Sequence, residues 1–151
     1  MGGLMKKVQI GIKDKNIKYD FRETCFGIYV KDKKIYLTKK NGEVSLIGGG
    51  KETGETFQDC LYREFLEESG CKVKTIKDFC SIDCFWFTRN KKHMESLAHI
   101  FLVDIEDDID DPLEKESELV LIDINNALDY LELPYQRKAL ELYLTEYKDL
   151  L

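Results

Sequence analysis

One stretch narrows what this chain can be more than any other: Gly49 is followed after five residues by Glu55, and after seven more by Arg63-Glu64-Phe65-Leu66-Glu67-Glu68-Ser69-Gly70-Cys71. Thr56 and Asp59 have the spacing of a reciprocal N-terminal cap, and Gly70 is placed to end a helix in a left-handed turn. The stretch therefore predicts a helix of about residues 56–69. At about 100° per residue, Glu64, Glu67 and Glu68 fall on one face of it. Like charges so close repel each other and resist ionisation unless a cation lies among them. Alone, such a cluster is an ordinary solvated helix face. The glycine run Gly48-Gly49-Gly50 ahead of it, where backbone can approach a ligand closely, and Arg63 within it point instead to a site.

The residues from Gly49 to Cys71, with the approach segment Leu46-Ile47-Gly48-Gly49-Gly50-Lys51-Glu52-Thr53-Gly54-Glu55, resemble the Nudix box, the signature of the Nudix hydrolase family. Three positions depart from the usual pattern: Ile47 where proline is common, Phe65 where the side chain is usually a smaller aliphatic, and Cys71 at the terminal aliphatic position. No charged position is altered. The resemblance implies an α+β fold with a mixed β-sheet between α-helices. It implies that Glu67 and Glu68 ligate a metal, that Glu64 ligates it or serves as general base, and that the Gly48 carbonyl adds an oxygen. Arg63 is expected to pair with Glu55, anchoring the glycine loop and keeping the guanidinium away from the metal patch. A further glutamate is expected from the loop before a late strand, with Glu116 and Glu118 as the candidates.

An all-oxygen carboxylate site without histidine or thiolate suits Mg²⁺, with Mn²⁺ as a substitute. The implied reaction is attack of water on a diphosphate linkage, assisted by the ion and by a carboxylate that takes the proton. The expected substrate is a nucleoside diphosphate linked to another group, a nucleoside triphosphate included. Gly48, Gly49 and Gly50 would face it, with an aromatic from Phe85-Trp86-Phe87 stacking on a base, Trp86 being the choice. The proline, tyrosine and upstream signatures that mark ADP-ribose, dinucleoside polyphosphate and coenzyme A subfamilies are absent. A nucleotide-sensing domain without catalysis is the alternative, although such modules commonly lose the glutamates kept here.

A chain of 151 residues with 43% hydrophobic content can build one full core, expected over about residues 7–149 of a single domain. The net charge of −6 opposes broad nonspecific binding to nucleic acid, whose phosphates require basic groups. Lys39-Lys40 and Arg89-Asn90-Lys91-Lys92 are local candidates for phosphate contact. Five cysteines without a CxxC pair read as reduced thiols, and no segment has the length of a membrane span or the pattern of a secretory leader. The Met1-Gly2 start lacks serine or threonine at position 6, as an N-myristoylation signal requires, and cytoplasm is the expected location. The oligomeric state is left open.

Alternation of apolar and polar residues predicts an opening hairpin from Val8-Ile12 and Ile17-Phe21, then Cys25–Val30 paired with Lys34–Thr38, and a strand Val44–Ile47 leading into the glycine loop. Further strands are expected at Cys71–Ile76, Phe79–Phe87, Ser96–Ile105 and Leu119–Ile122. A short helix is expected near Asn125–Leu131, with a terminal helix opened by Pro134. Glu106-Asp107-Asp108-Ile109-Asp110-Asp111-Pro112 reads as a solvated acidic loop.

Overall fold

The computed structural model describes residues 5–106 and 110–150; Met1–Leu4 and the centre of the acidic loop lie outside the described residues. An eight-stranded mixed sheet runs in the order β1-β6-β7-β2-β5-β4-β3, and β8 also pairs with β4. Its strands are β1 (Lys6–Ile10), β2 (Asp20–Ile28), β3 (Val30–Lys31), β4 (Lys34–Lys40), β5 (Glu43–Gly50), β6 (Val73–Phe87), β7 (His93–Ile105) and β8 (Ser117–Asp123). The β1/β6 and β2/β7 pairs are parallel, and the remaining pairs antiparallel.

Helix α1 (Phe57–Ser69) and helix α2 (Pro134–Glu146) each bury one stripe against the sheet. Cys60, Leu61 and Phe65 of α1 share a cluster with Cys25, Ile47 and Phe101 of the sheet; Ala139 and Leu140 of α2 share one with Phe26, Ile28, Ile82 and Ile100. Successive residues of β2 thus serve opposite faces, and because both faces are covered the strand loses its polar alternation from Thr24 onward. The bulk of Phe65 is accommodated by Gly27, where an added Cβ would stand 2.6 Å from the ring.

Both ends of α1 form as the sequence predicts. Thr56 Oγ1 accepts from the Asp59 N–H at 3.0 Å while Asp59 Oδ2 accepts from the Thr56 N–H at 3.1 Å. Gly70 caps the other end at φ 73°, where an added Cβ would meet the Asp110 carbonyl oxygen at 2.1 Å. The last-turn carbonyls find donors in a distant loop: Leu66 O accepts from the Leu113 N–H at 3.2 Å and Glu67 O from the Glu114 N–H at 2.8 Å.

Several strand expectations are corrected. The opening segments form no hairpin: β1 pairs with β6, and β2 lies between β7 and β5. Of the expected Cys25–Val30 strand only Val30 stands in the ladder with β4, opposite Ile35. The two strands expected between residues 71 and 87 are one strand, β6, with register shifts at Thr75/Lys77 and Asp78/Cys80 that mimic a break. The glycine run is no loop but the end of β5, and the segment near residue 125 is a 3-10 turn over Ala127–Tyr130. Pro134 opens α2 as expected.

Candidate active site

The end of β5 lies against α1, and three consecutive glycines make room for three different groups. Gly48 has φ 154°, and an added Cβ would stand 2.0 Å from the Cys25 carbonyl oxygen; its N–H donates to Glu68 Oε1 at 2.8 Å. On Gly49 a Cβ would lie 2.6 Å from Glu64 Oε1, so the Glu64 carboxylate rests directly on that backbone. On Gly50 it would meet the Arg22 guanidinium. The thiol of Cys60 points to the Gly49 carbonyl at 3.6 Å, so the small residue one turn before Glu64 lets helix and strand close together.

Arg63 and Glu55 come together. Nε donates to Glu55 Oε2 at 2.7 Å and Nη2 to Glu55 Oε1 at 3.0 Å, while Nη2 also reaches the Gly50 carbonyl at 3.0 Å. The expectation that this contact keeps the guanidinium away from the acids is corrected: Nη1 donates to Glu64 Oε1 at 3.1 Å and Glu67 Oε2 at 3.2 Å. One planar cation with five N–H groups satisfies all of these at once.

The electrostatics follow from position. Hydrogen bonding to Arg63 holds Glu55 below the usual carboxylate range. Burial raises Glu64 in spite of the opposing Arg63 charge, and burial raises Glu68 to about 8 against the stabilising Gly48 N–H. Glu64 thus has a cation beside it in Arg63, whereas the partner of the buried Glu68 is the neutral Gly48 N–H.

The loop before β8 supplies neither expected acid. Glu116 stands half-exposed, 3.8 Å from Lys40, and Glu118 is exposed across from Lys39. Glu114 is the acid that approaches, its charge acting on both Glu64 and Glu68. Its Oε2 accepts from Lys40 Nζ and Ser117 Oγ, each at 2.9 Å, which hold its carboxyl low. Nothing local in the sequence singles it out; the signal lies in the ladder, where Ser117 pairs with Lys40.

Among the described residues no three histidine, cysteine, aspartate or glutamate side chains form a ready-made metal cage. The donor set nevertheless fits a hard divalent cation: the groups are oxygen donors, and the buried Glu68 has only the neutral Gly48 N–H as its partner.

A cavity of about 510 Å³ opens beside Glu68, Gly48 and Gly49, with Phe26, Tyr130 and Tyr135 among its walls. Trp86 is corrected as a wall residue. Its indole N–H donates to Ser96 Oγ at 2.9 Å, and its ring packs edge-on at 5.9 Å from Tyr135, which stands at the cavity in its place. Sequence reasoning misses Gln136, which is buried at the cavity and accepts from the Leu46 N–H at 2.8 Å, tying α2 to β5. Arg89 is paired with Glu132, and Lys40 with Glu114.

Comparison with known proteins agrees with this architecture. The NUDIX domain family matches residues 22–143. The NAD-capped RNA hydrolase NudC of Vibrio parahaemolyticus is 42% identical over 55 residues, a match covering 34% of this chain and only 21% of that protein. A NUDIX hydrolase from Nitrosomonas europaea superposes with a TM-score of 0.68 at 18% identity, covering 84% of this chain and 90% of its own. The MutT NUDIX hydrolase of Burkholderia pseudomallei gives 0.63 at 25% identity, covering 82% and 98%. With the family matched over most of its length, and Gly48, Gly49 and Glu68 of the box lining one cavity, the chain belongs to the NUDIX family.

Proposed function

We propose that the chain is a Mg²⁺-dependent pyrophosphohydrolase, cleaving a diphosphate linkage in a nucleotide derivative, with Mn²⁺ able to replace Mg²⁺. The observation that carries this reading is the pair of buried acids, Glu64 and Glu68, set against a glycine strand, with Glu68, Gly48 and Gly49 lining a cavity of about 510 Å³, which lies within the size range of small-molecule sites. Glu64, Glu67, Glu68 and the Gly48 carbonyl would hold the ion. A bound ion supplies charge neutralisation at the phosphate oxygens and a more acidic water.

The remaining work belongs to the chain's own residues. Glu64, whose carboxylate rests on the Gly49 backbone and whose affinity for a proton is raised by burial, is placed to act as the base. Arg63, gripped by Glu55, fixes where Glu64 and Glu67 stand. Tyr135 and Phe26 provide an aromatic wall for a nucleotide base in place of Trp86. The five cysteines, all buried free thiols, suit a reducing compartment, and cytoplasm is the proposed location. No helix among the described residues is long and apolar enough to cross a membrane.

A nucleotide-sensing module without turnover is the second reading, favoured by the Arg63 contacts that occupy Glu64 and Glu67. Turnover decides between them. The purified chain is assayed with Mg²⁺ and Mn²⁺ against nucleoside triphosphates, nucleotide sugars, ADP-ribose, dinucleoside polyphosphates, and triphosphorylated and NAD-capped RNA. Metal-dependent cleavage of a diphosphate linkage in any of these is expected, giving a nucleoside monophosphate from the small molecules and a 5′-monophosphorylated chain from the RNAs; binding without turnover across the panel leaves the sensor.

A further inference from the structure

Arg22 projects from β2 on the same strand face as Thr24 and Phe26, and all three line the cavity beside Glu68. Thr24 lies opposite Gly50 in the ladder, which brings Arg22 over the end of the glycine strand. A Cβ on Gly50 would stand 2.6 Å from Arg22 Nη2, 3.0 Å from Nε and 3.2 Å from Cζ, so the guanidinium rests on the Gly50 backbone. The Gly50 backbone is not left-handed, so conformation does not account for glycine here; room for Arg22 does.

The other cations near the site are already neutralised. Arg63 is held by Glu55, Glu64 and Glu67, Lys40 by Glu114, Lys51 by Glu23 at 3.2 Å, and Arg89 by Glu132. Among the described residues Arg22 alone of this group has neither an ion pair nor a side-chain hydrogen bond, in a chain whose net charge is −6. An exposed guanidinium aimed into a cavity and left unpaired amid so many carboxylates is a donor fork waiting for an anion, and phosphate is the anion whose oxygens it matches in pairs.

We propose that Arg22 grips the substrate directly, donating two parallel hydrogen bonds to the phosphate on the cavity side of the diphosphate, while the carboxylates of α1 serve the other phosphate through their ion. The inference rests on the diphosphate-cleaving reading and adds to it the residue that binds the second phosphate. Gly50 is then the platform on which that residue lies.

The test is calorimetric titration of the purified full chain with inorganic pyrophosphate, in Mg²⁺ and again in chelator, alongside turnover kinetics and thermal melts. Arg22→Ala should weaken pyrophosphate binding about tenfold or more, and Arg22→Lys should recover only part of it, because an ammonium cannot form the fork. Gly50→Ala should match Arg22→Ala, since the methyl takes the guanidinium's place, and melting should stay near that of the parent because a flexible side-chain end is all that moves. Lys7→Ala, which removes the same charge from the exposed far edge strand β1, should change affinity less than about twofold. In turnover the loss should fall on KM more than on kcat. Parent-like pyrophosphate binding by Arg22→Ala, equal losses in Arg22→Ala and Lys7→Ala, or no pyrophosphate binding by the parent each overturn the role. If the parent binds pyrophosphate through Arg22 but hydrolyses no anhydride, the hydrolase reading fails and the Arg22 site stands.

Discussion

Arg63 holds Glu55 at two points, Nε to Oε2 at 2.7 Å and Nη2 to Oε1 at 3.0 Å. A lysine cannot reproduce that fork, and an amide cannot return its charge. Arg63→Lys and Glu55→Gln are each expected to lower kcat/KM by about 10- to 100-fold, through loss of positioning. Because both break one contact, the double mutant should be clearly less impaired than the product of the singles. A double-mutant cycle in initial rates checks this, and strictly multiplicative losses would show that the pair does not act as a unit.

The neighbouring glycines should separate activity from stability. Gly49→Ala places a methyl 2.6 Å from Glu64 Oε1, a displaceable side-chain end, so kcat/KM should fall by about 100-fold while melting changes little. Gly48→Ala meets the Cys25 backbone carbonyl at 2.0 Å and a left-handed φ of 154°, so it should cost on the order of 3 kcal/mol in denaturant unfolding. Equal effects of the two changes on both readouts would contradict the assignment of Gly49 to Glu64.

Glu67→Gln and Glu68→Gln should each reduce turnover by orders of magnitude with the fold retained, and full activity in both would sink the metal-site assignment. Glu68 adds a pH signature. Burial raises it from 4.5 to about 8 in the folded chain, so the folded state holds this proton more tightly than the unfolded state. Its favourable contribution is complete below 4.5 and declines as pH rises toward about 8, because only the unfolded chain gains by ionising across that window. Melts in chelator should therefore show stability falling over this range. Glu68→Gln should flatten the fall and melt higher than the parent at the alkaline end; a slope identical to the parent's would refute the buried-acid account.

Gln136 joins α2 to the glycine strand through the Leu46 N–H at 2.8 Å. Gln136→Leu leaves that buried donor unpaired, and a loss of about 1–3 kcal/mol is expected in urea unfolding. A variant as stable as the parent would mean that the amide finds another acceptor.

The bond cleaved is open to isotope labelling. In ¹⁸O water the label should appear on a phosphorus of the cleaved diphosphate, with a nucleoside triphosphate giving monophosphate and pyrophosphate. The reading is falsified if release of phosphate from simple monoesters is the main activity, or if turnover survives exhaustive removal of divalent metal.

Features that depend on near neighbours in the chain are legible in the sequence itself. The Thr56/Asp59 cap, the left-handed Gly70 and the Pro134 start each rest on contacts within a few residues. The family resemblance places the acids on α1 and the Glu55–Arg63 contact between that helix and the segment leading into it. Strand partnership is not legible: alternation in Val8-Ile12 and Ile17-Phe21 tells which faces are apolar, but not that β1 lies parallel to the distant β6. Trp86 fails for a related reason, since a strand aromatic has the same local pattern whether it meets a cavity or, as here, Tyr135 and Ser96. Glu114 and Arg22 become visible only where β4 meets β8 and β2 meets β5.

The donors that close the last turn of α1 have a consequence for the order of assembly. The Leu66 carbonyl has a local donor in the Gly70 N–H, but the Glu67 carbonyl waits for the N–H of Glu114, which is made only after the whole of β6 and β7. Closing so long an intervening segment carries an entropic penalty that a helical turn alone does not. The first turn of α1, closed by its own cap, can therefore form early, while the turn that carries Glu67 and Glu68 is completed late. The Glu67 and Glu68 carboxylates are brought to their final spacing when most of the sheet already exists to hold them. A nascent chain stopped short of residue 114 would have the box without a finished site.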